Sequence, residues 1–164
     1  MLKTFTSYYA SPIGLIEISA AERDLIAVLF VEVESKATCT NAIIEECKKQ
    51  LDEYFHGDRK DFSLPYILLG TNFQKATWNK LKSIEYGKTM SYAELAEKLN
   101  SPKSARAVGS TNGKNSLLII LPCHRIIGQD GNLTGYAGGL WRKKWLLEHE
   151  SVKVGGTVQL GLQF

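Results

Sequence analysis

The sequence predicts a two-lobe α+β protein. Strand-like segments crowd the first third of the chain, helical segments dominate from residue 72, and the balance of charge reverses between the two parts. Residues 1–66 carry 7 Lys/Arg against 11 Asp/Glu, and residues 67–164 carry 13 against 6. A basic half of this kind suits contact with a polyanion, carried by an acidic half that does not make it.

The first lobe, residues 1–66, reads as a small antiparallel sheet with one helix. Phe5 to Ala10 is short and aromatic-rich, Ser11-Pro12-Ile13-Gly14 is a turn, and Leu15–Ile18 and Leu25–Phe30 are apolar and β-branched. Thr40 is placed to cap a helix over Asn41–Phe55, with Ile43, Ile44, Cys47, Leu51 and Tyr54/Phe55 at helical spacing and Gly57 ending it. Cys47 falls on that apolar stripe, which makes it a core residue. Asp58 to Thr71 is a charged, then Pro- and Gly-bearing connector.

The second lobe, residues 67–152, reads as mainly helical. Asn72 is expected to cap Phe73–Ile84. Ser91, with Glu94 at the third helical position, forms a capping box for a short helix through Leu99. After the Asn100-Ser101-Pro102 turn, Lys103–Asn112 makes a second short helix, and the pair is a helix-turn-helix pattern. This second helix is rich in small residues, and Arg106 is the only charge between Lys103 and Lys114. Gly109 costs such a helix about 1 kcal/mol relative to Ala, so a close approach to a partner would explain it. Gly135-Tyr136-Ala137-Gly138-Gly139 is a loop whose backbone can approach a planar ligand. Leu140 to Glu150 is an amphipathic helix.

Composition excludes several classes. Hydrophobic residues make up 44% and charged residues 23% of the 164, as in a globular protein. No signal peptide and no membrane-length apolar run is evident. Cys39, Cys47 and Cys123 are odd in number and lack metal-ligand spacing, which points to reduced thiols, a cytoplasmic setting and no metal.

The segment Leu121-Pro122-Cys123-His124-Arg125-Ile126-Ile127 carries the chemistry. A thiol is a strong nucleophile only as thiolate, and a neighbouring His or Arg can favour that form. Pro122 is expected to end the preceding buried run, setting Cys123 at the mouth of a pocket. Taken alone, the heptapeptide is equally consistent with a buried cysteine beside a chance histidine.

The ordered set of motifs resembles the O6-alkylguanine-DNA alkyltransferases. The matching elements are Pro122-Cys123-His124-Arg125, Arg106-Ala107-Val108-Gly109, Asn115, Ser91-Tyr92, Gly135-Tyr136-Ala137-Gly138-Gly139 and Leu146-Leu147-Glu148-His149-Glu150. Ser11-Pro12-Ile13-Gly14 and Leu51–Gly57 also fit. The resemblance implies a ribonuclease H-like first lobe and a helix-turn-helix second lobe. It implies stoichiometric transfer of an alkyl group from O6-alkylguanine, and from O4-alkylthymine, in double-stranded DNA to Cys123, with no cofactor. His124 would deprotonate Cys123 through a water and Glu150 would orient His124, the logic of a triad. Tyr92 would protonate the leaving base at N3. The Ala137 amide would approach O6, and the carbonyls of Cys123 and Ile126 would accept from the exocyclic amine. Tyr136 would line the pocket and Gly138 would border the alkyl group, admitting bulky adducts. Arg106 would replace the extruded nucleotide, with Ala105, Gly109 and Ser110 against the DNA. Asn115 and Arg125 would be structural. Ser116 stands where a proline is common, and Ile126-Ile127 where valines are.

Three rivals belong to other classes. A non-reacting damage sensor would lack the acceptor cysteine, a cysteine hydrolase would need an oxyanion hole, and a DNA-binding regulator would leave Cys123, His124 and Glu150 unexplained. The tail 153–164 stands apart. Gln159, Leu160, Leu162 and Phe164 resemble a sliding-clamp docking peptide. The overall expectation is a cytoplasmic monomer, nucleoid-associated when on DNA, with no membrane contact.

Overall fold

The computed structural model describes residues 3–153. The chain divides into two compact units, residues 1–68 and residues 69–164. The peptide Gln159–Phe164 lies outside the described residues.

In the first unit, β1 (Phe5–Ser11), β2 (Gly14–Ala20) and β3 (Leu25–Val31) form an antiparallel sheet in the order β1-β2-β3. Ser11 pairs with Gly14, so Pro12-Ile13 is a two-residue hairpin loop, and Gly14 takes φ 124, a value costly for any residue with a Cβ. One face of the sheet presents Ile16, Ile18, Ala20, Leu25 and Val28 to the core. Helix α1 (Ala42–Phe55) packs on β1 and β2 through Ile44, Cys47, Leu51 and Tyr54, all fully buried.

Two expectations shift here. Asn41, not Thr40, caps α1, because its side-chain oxygen reaches the Ile44 amide at 3.1 Å while the Thr40 hydroxyl turns to Glu45. The connector after residue 58 is partly sheet-bound. Leu25 donates to Pro65 O and accepts from Ile67 N, at 2.9 and 2.8 Å, so this segment covers one end of β3.

In the second unit, α2 (Asn72–Lys80) continues as a 3-10 turn, Leu81–Ser83. Its cap is Thr71 rather than Asn72. Thr71 and Gln74 have capping-box spacing, and both reciprocal bonds form, at 3.1 and 2.9 Å. Ser91 and Glu94 cap α3 (Tyr92–Lys98) as expected. After a turn in which Asn100 takes φ 57, α4 (Ala105–Asn112) packs back on α3, two residues later than the sequence suggests. Trp78 of α2 braces α4 by donating its indole N–H to Thr111 O at 2.9 Å. The short strands β4 (Met90–Ser91) and β5 (Ile126–Ile127) pair in parallel. Helix α5 (Leu140–Lys153) closes the unit through Leu146 and Leu147. No helix among the described residues is long and apolar enough to cross a membrane.

Candidate functional site

Everything from Leu117 to Ile127 is buried, Cys123 included, at 1% exposure. Pro122 therefore does not bring the cysteine to an open mouth. The run instead folds into a tight turn, with Leu121 N bonded to Leu117 O at 2.9 Å, followed by a 3-10 turn over Cys123–Arg125. Asn115 holds the first turn from within. Its Oδ1 accepts from Leu117 N at 3.0 Å, and its Nδ2 donates to Leu121 O at 3.1 Å. Inside this frame Ile119 takes φ 73, a conformation a β-branched residue reaches only under outside constraint.

The 3-10 turn sends two of its three side chains, His124 and Arg125, to one carboxylate. His124 Nε2 lies 2.6 Å from Glu150 Oε2, and Arg125 donates through Nε to Oε1 at 2.8 Å and through Nη2 to Oε2 at 3.2 Å. The other arm of Arg125 donates to Ile84 O at 2.6 Å. Arg125 thus serves Glu150 and not the thiol. Burial would push the Glu150 carboxyl up, but His124 and Arg125 outweigh it and hold the group well below the usual carboxylate range. Burial holds His124 below its ordinary 6.5, against the pull of Glu150. Glu150 is then an ionised acceptor, so the His124 proton sits on Nε2 and the lone pair on Nδ1. That Nδ1 is buried and has no hydrogen-bond partner among the described residues.

The thiol itself is not pre-ionised. Burial pushes Cys123 up to about 11, although the Asn115 side chain and the Lys143 charge pull the other way. Burial therefore favours the neutral thiol in the resting protein, and a base within reach would be needed to generate the nucleophilic thiolate.

Next to this buried centre is a cleft of about 680 Å³. One wall is α4 and its C-cap, through Ala105, Arg106, Gly109, Ser110 and the capping Gly113, and the other is the segment Thr134–Ala137, with Tyr92 between them. Every residue expected to meet DNA therefore lies on one wall, and Tyr92, Tyr136 and Ala137 also line the cleft. Two others are not brought to the lining. Ile126 is buried in β5, and Gly138 is buried with its carbonyl held by Arg142 Nη1 at 3.0 Å. The cleft is open at Gly135 instead, where an added Cβ would meet nothing within 4 Å among the described residues. Tyr92 OH lies 2.7 Å from Thr134 Oγ1, and burial raises its pKa, keeping the phenol protonated.

Sequence reasoning passed over Thr134, Lys143 and Asn112. Lys143 is fully buried, and its ammonium donates to Thr134 O at 2.7 Å, pinning the loop that faces the cleft. Burial pulls it down to about 8, and the neighbouring Cys123 opposes that shift. The signal was there in the spacing. Lys143, Leu146, Leu147 and Glu150 stand at positions i, i+3, i+4 and i+7, one helical stripe, so Lys143 occupies a core position of α5. Among the described residues no group of three or more His, Cys, Asp or Glu is placed to hold a metal ion.

Residues 4–67 match the 6-O-methylguanine DNA methyltransferase ribonuclease-like domain, and residues 72–152 match the DNA binding domain of the same family. The chain belongs to the 6-O-methylguanine DNA methyltransferase family. It is 43% identical over 152 residues to a methylated-DNA–protein-cysteine methyltransferase of Methanosarcina acetivorans, covering 87% of this chain and 97% of that one. The crystal structure of the Mycobacterium tuberculosis O6-methylguanine methyltransferase superposes with a TM-score of 0.84 at 37% identity, over 96% of this chain and 98% of that one. The same organism's protein solved in complex with DNA gives a TM-score of 0.83 at 39% identity, over 89% and 92% of the two chains. Both domains, the sheet-bearing first and the helical second, are those of the family.

Proposed function

We infer that this protein repairs DNA by direct reversal, as a methylated-DNA–protein-cysteine methyltransferase that takes the alkyl group from O6-alkylguanine onto Cys123. The observation that carries the reading is the buried Cys123–His124–Glu150 centre beside a cleft walled by α4 and Arg106.

The lesion must leave the helical stack to reach a buried thiol, because O6 of a stacked guanine is not open to in-line attack. Arg106, exposed on the cleft wall, takes the place of the extruded nucleotide, while Ala105, Gly109 and Ser110 lie along the backbone. His124 Nδ1 accepts the Cys123 proton through a bridging water, and Glu150 stabilises the resulting imidazolium. The thiolate sulfur attacks the alkyl carbon. An S–C bond forms, the C–O6 bond breaks, and its electron pair stays with the purine. Tyr92, held protonated, supplies a proton at N3 as the base leaves. Lys143 favours the transient thiolate by its charge and holds the loop carrying Ala137, whose amide faces O6. The thioether is not cleaved again, so one protein serves one lesion and no cofactor enters. O4-alkylthymine presents the same alkyl–oxygen bond and is the second substrate.

The acidic first unit supports the second, which carries the DNA surface and the acceptor. The protein acts as a cytoplasmic monomer on the nucleoid, and Gln159, Leu160, Leu162 and Phe164 dock it on a sliding clamp. Deleting residues 159–164 should then abolish clamp binding and leave transfer to oligonucleotides intact. Clamp binding that survives the deletion refutes that part. Multiple turnovers on methylated duplex, or methyl mapped to Cys39 or Cys47, refute the central reading.

A further inference from the structure

Asn112 closes the inner end of α4. It lies seven residues after Ala105 and three after Gly109, on the same stripe of the helix that lines the cleft. Its side chain is only 3% exposed, and Nδ2 donates to the Cys123 carbonyl at 3.2 Å. The other end of the amide, Oδ1, is buried with no hydrogen-bond partner among the described residues. The orientation is fixed by chemistry. Reversing the amide would set two acceptors, Oδ1 and Cys123 O, against each other. A buried acceptor without a donor is costly, and a ligand that brings a donor removes that cost.

We propose that Asn112 Oδ1 reads the exocyclic amine of the flipped purine, beside the Cys123 carbonyl, and so sets the preference for guanine over thymine lesions. This rests on the repair function inferred above. Alkylation at O6 removes the proton from N1, which leaves the N2 amine as the donor on the pairing edge of O6-alkylguanine. O4-alkylthymine has lost its N3 proton in the same way and offers that edge no donor. An orphaned acceptor next to the acceptor carbonyl of the nucleophile itself matches the first base and not the second. The two amine hydrogens meet two oxygens, Cys123 O and Asn112 Oδ1.

The test is the single-turnover rate on three duplexes, carrying O6-methylguanine, O6-methylhypoxanthine or O4-methylthymine. The hypoxanthine lesion has the same ether and ring but no N2 amine. The wild-type protein should prefer guanine to hypoxanthine by about tenfold, the worth of one good hydrogen bond. In Asn112→Leu that ratio should collapse several-fold, and the guanine-to-thymine ratio should fall with it. Equal losses on guanine and hypoxanthine would make Asn112 a brace for the Cys123 turn and overturn the proposal. A wild-type ratio near one overturns it without any variant, so the test stands even if Asn112→Leu does not fold. Failure of the wild-type protein to accept methyl from any lesion would overturn the repair function as well.

Discussion

Replacing Glu150 with glutamine removes one charge and one acceptor from the centre of the site. The carboxylate takes His124 Nε2 at 2.6 Å, Arg125 Nε at 2.8 Å and Arg125 Nη2 at 3.2 Å. The glutamine amide would offer a single carbonyl oxygen to these donors. If that oxygen faces Arg125, the amide NH2 faces His124 and forces the proton onto Nδ1, the nitrogen that must accept from Cys123. If it faces His124, the NH2 meets a guanidinium. Either way Arg125, 5% exposed, loses its counter-charge. Breaking a buried pair on one side costs about 3–5 kcal/mol, against a total of about 5–15 kcal/mol for a typical domain. The wrong histidine tautomer should slow transfer by about 10²- to 10⁴-fold, the range seen when orienting groups and general bases are lost elsewhere. Urea unfolding reads the first number, and quenched single-turnover reaction with a methylated duplex reads the second. The pH dependence adds a sign. In the unfolded chain His124 takes up a proton near 6.5 and Glu150 near 4.5, whereas both values are lowered in the fold. The unfolded state therefore binds more protons as pH falls below 6.5, and stability declines from there downward. In Glu150→Gln the decline below 4.5 should lose the Glu150 share. A variant less than about 1 kcal/mol weaker and less than about threefold slower would refute this account of the carboxylate.

Three further outcomes are expected. Arg106→Ala should slow repair of a duplex far more than reaction with free O6-benzylguanine, since only the duplex requires flipping. Equal loss on both would point to pocket damage. Gly109→Ala should raise thermal stability by up to about 1 kcal/mol, because the added methyl meets the Tyr92 ring at an ordinary 3.6 Å. The same variant should slow duplex repair by holding DNA off α4, and unchanged repair would refute close backbone approach there. Gly135→Phe should fill the open cleft and exclude the benzyl adduct while sparing methyl transfer. Benzylguanine rates that match the wild type would show that this opening is not the route for bulky groups.

Much of the architecture was legible in the chain because its signals are local. The apolar, β-branched run Leu15–Ile18, the Ser91–Glu94 capping box and the glycine after α1 each fix a neighbouring element without help from distant residues. Caps were misplaced by one residue at Thr40/Asn41 and Asn72/Thr71, where two capable side chains adjoin and only the backbone geometry decides between them. The motif around Cys123 showed which residues matter but not their environment. Pro122 suggested exposure, yet the turn held by Asn115 keeps the thiol buried, and the charged neighbour Arg125 is spent on Glu150. Asn112 and Lys143 carry no motif of their own. Each is a polar residue at a core position of a helix, visible only when helical spacing is followed through α4 and α5.

The most direct test of the central claim is the intact mass of the protein after incubation with a duplex containing one O6-methylguanine, followed by peptide mapping. The account predicts a gain of one methyl group per molecule, on the peptide holding Cys123, with the reaction stopping when protein and lesion are consumed one for one. Continued demethylation beyond that equivalence, or a methyl group on any other residue, would contradict it.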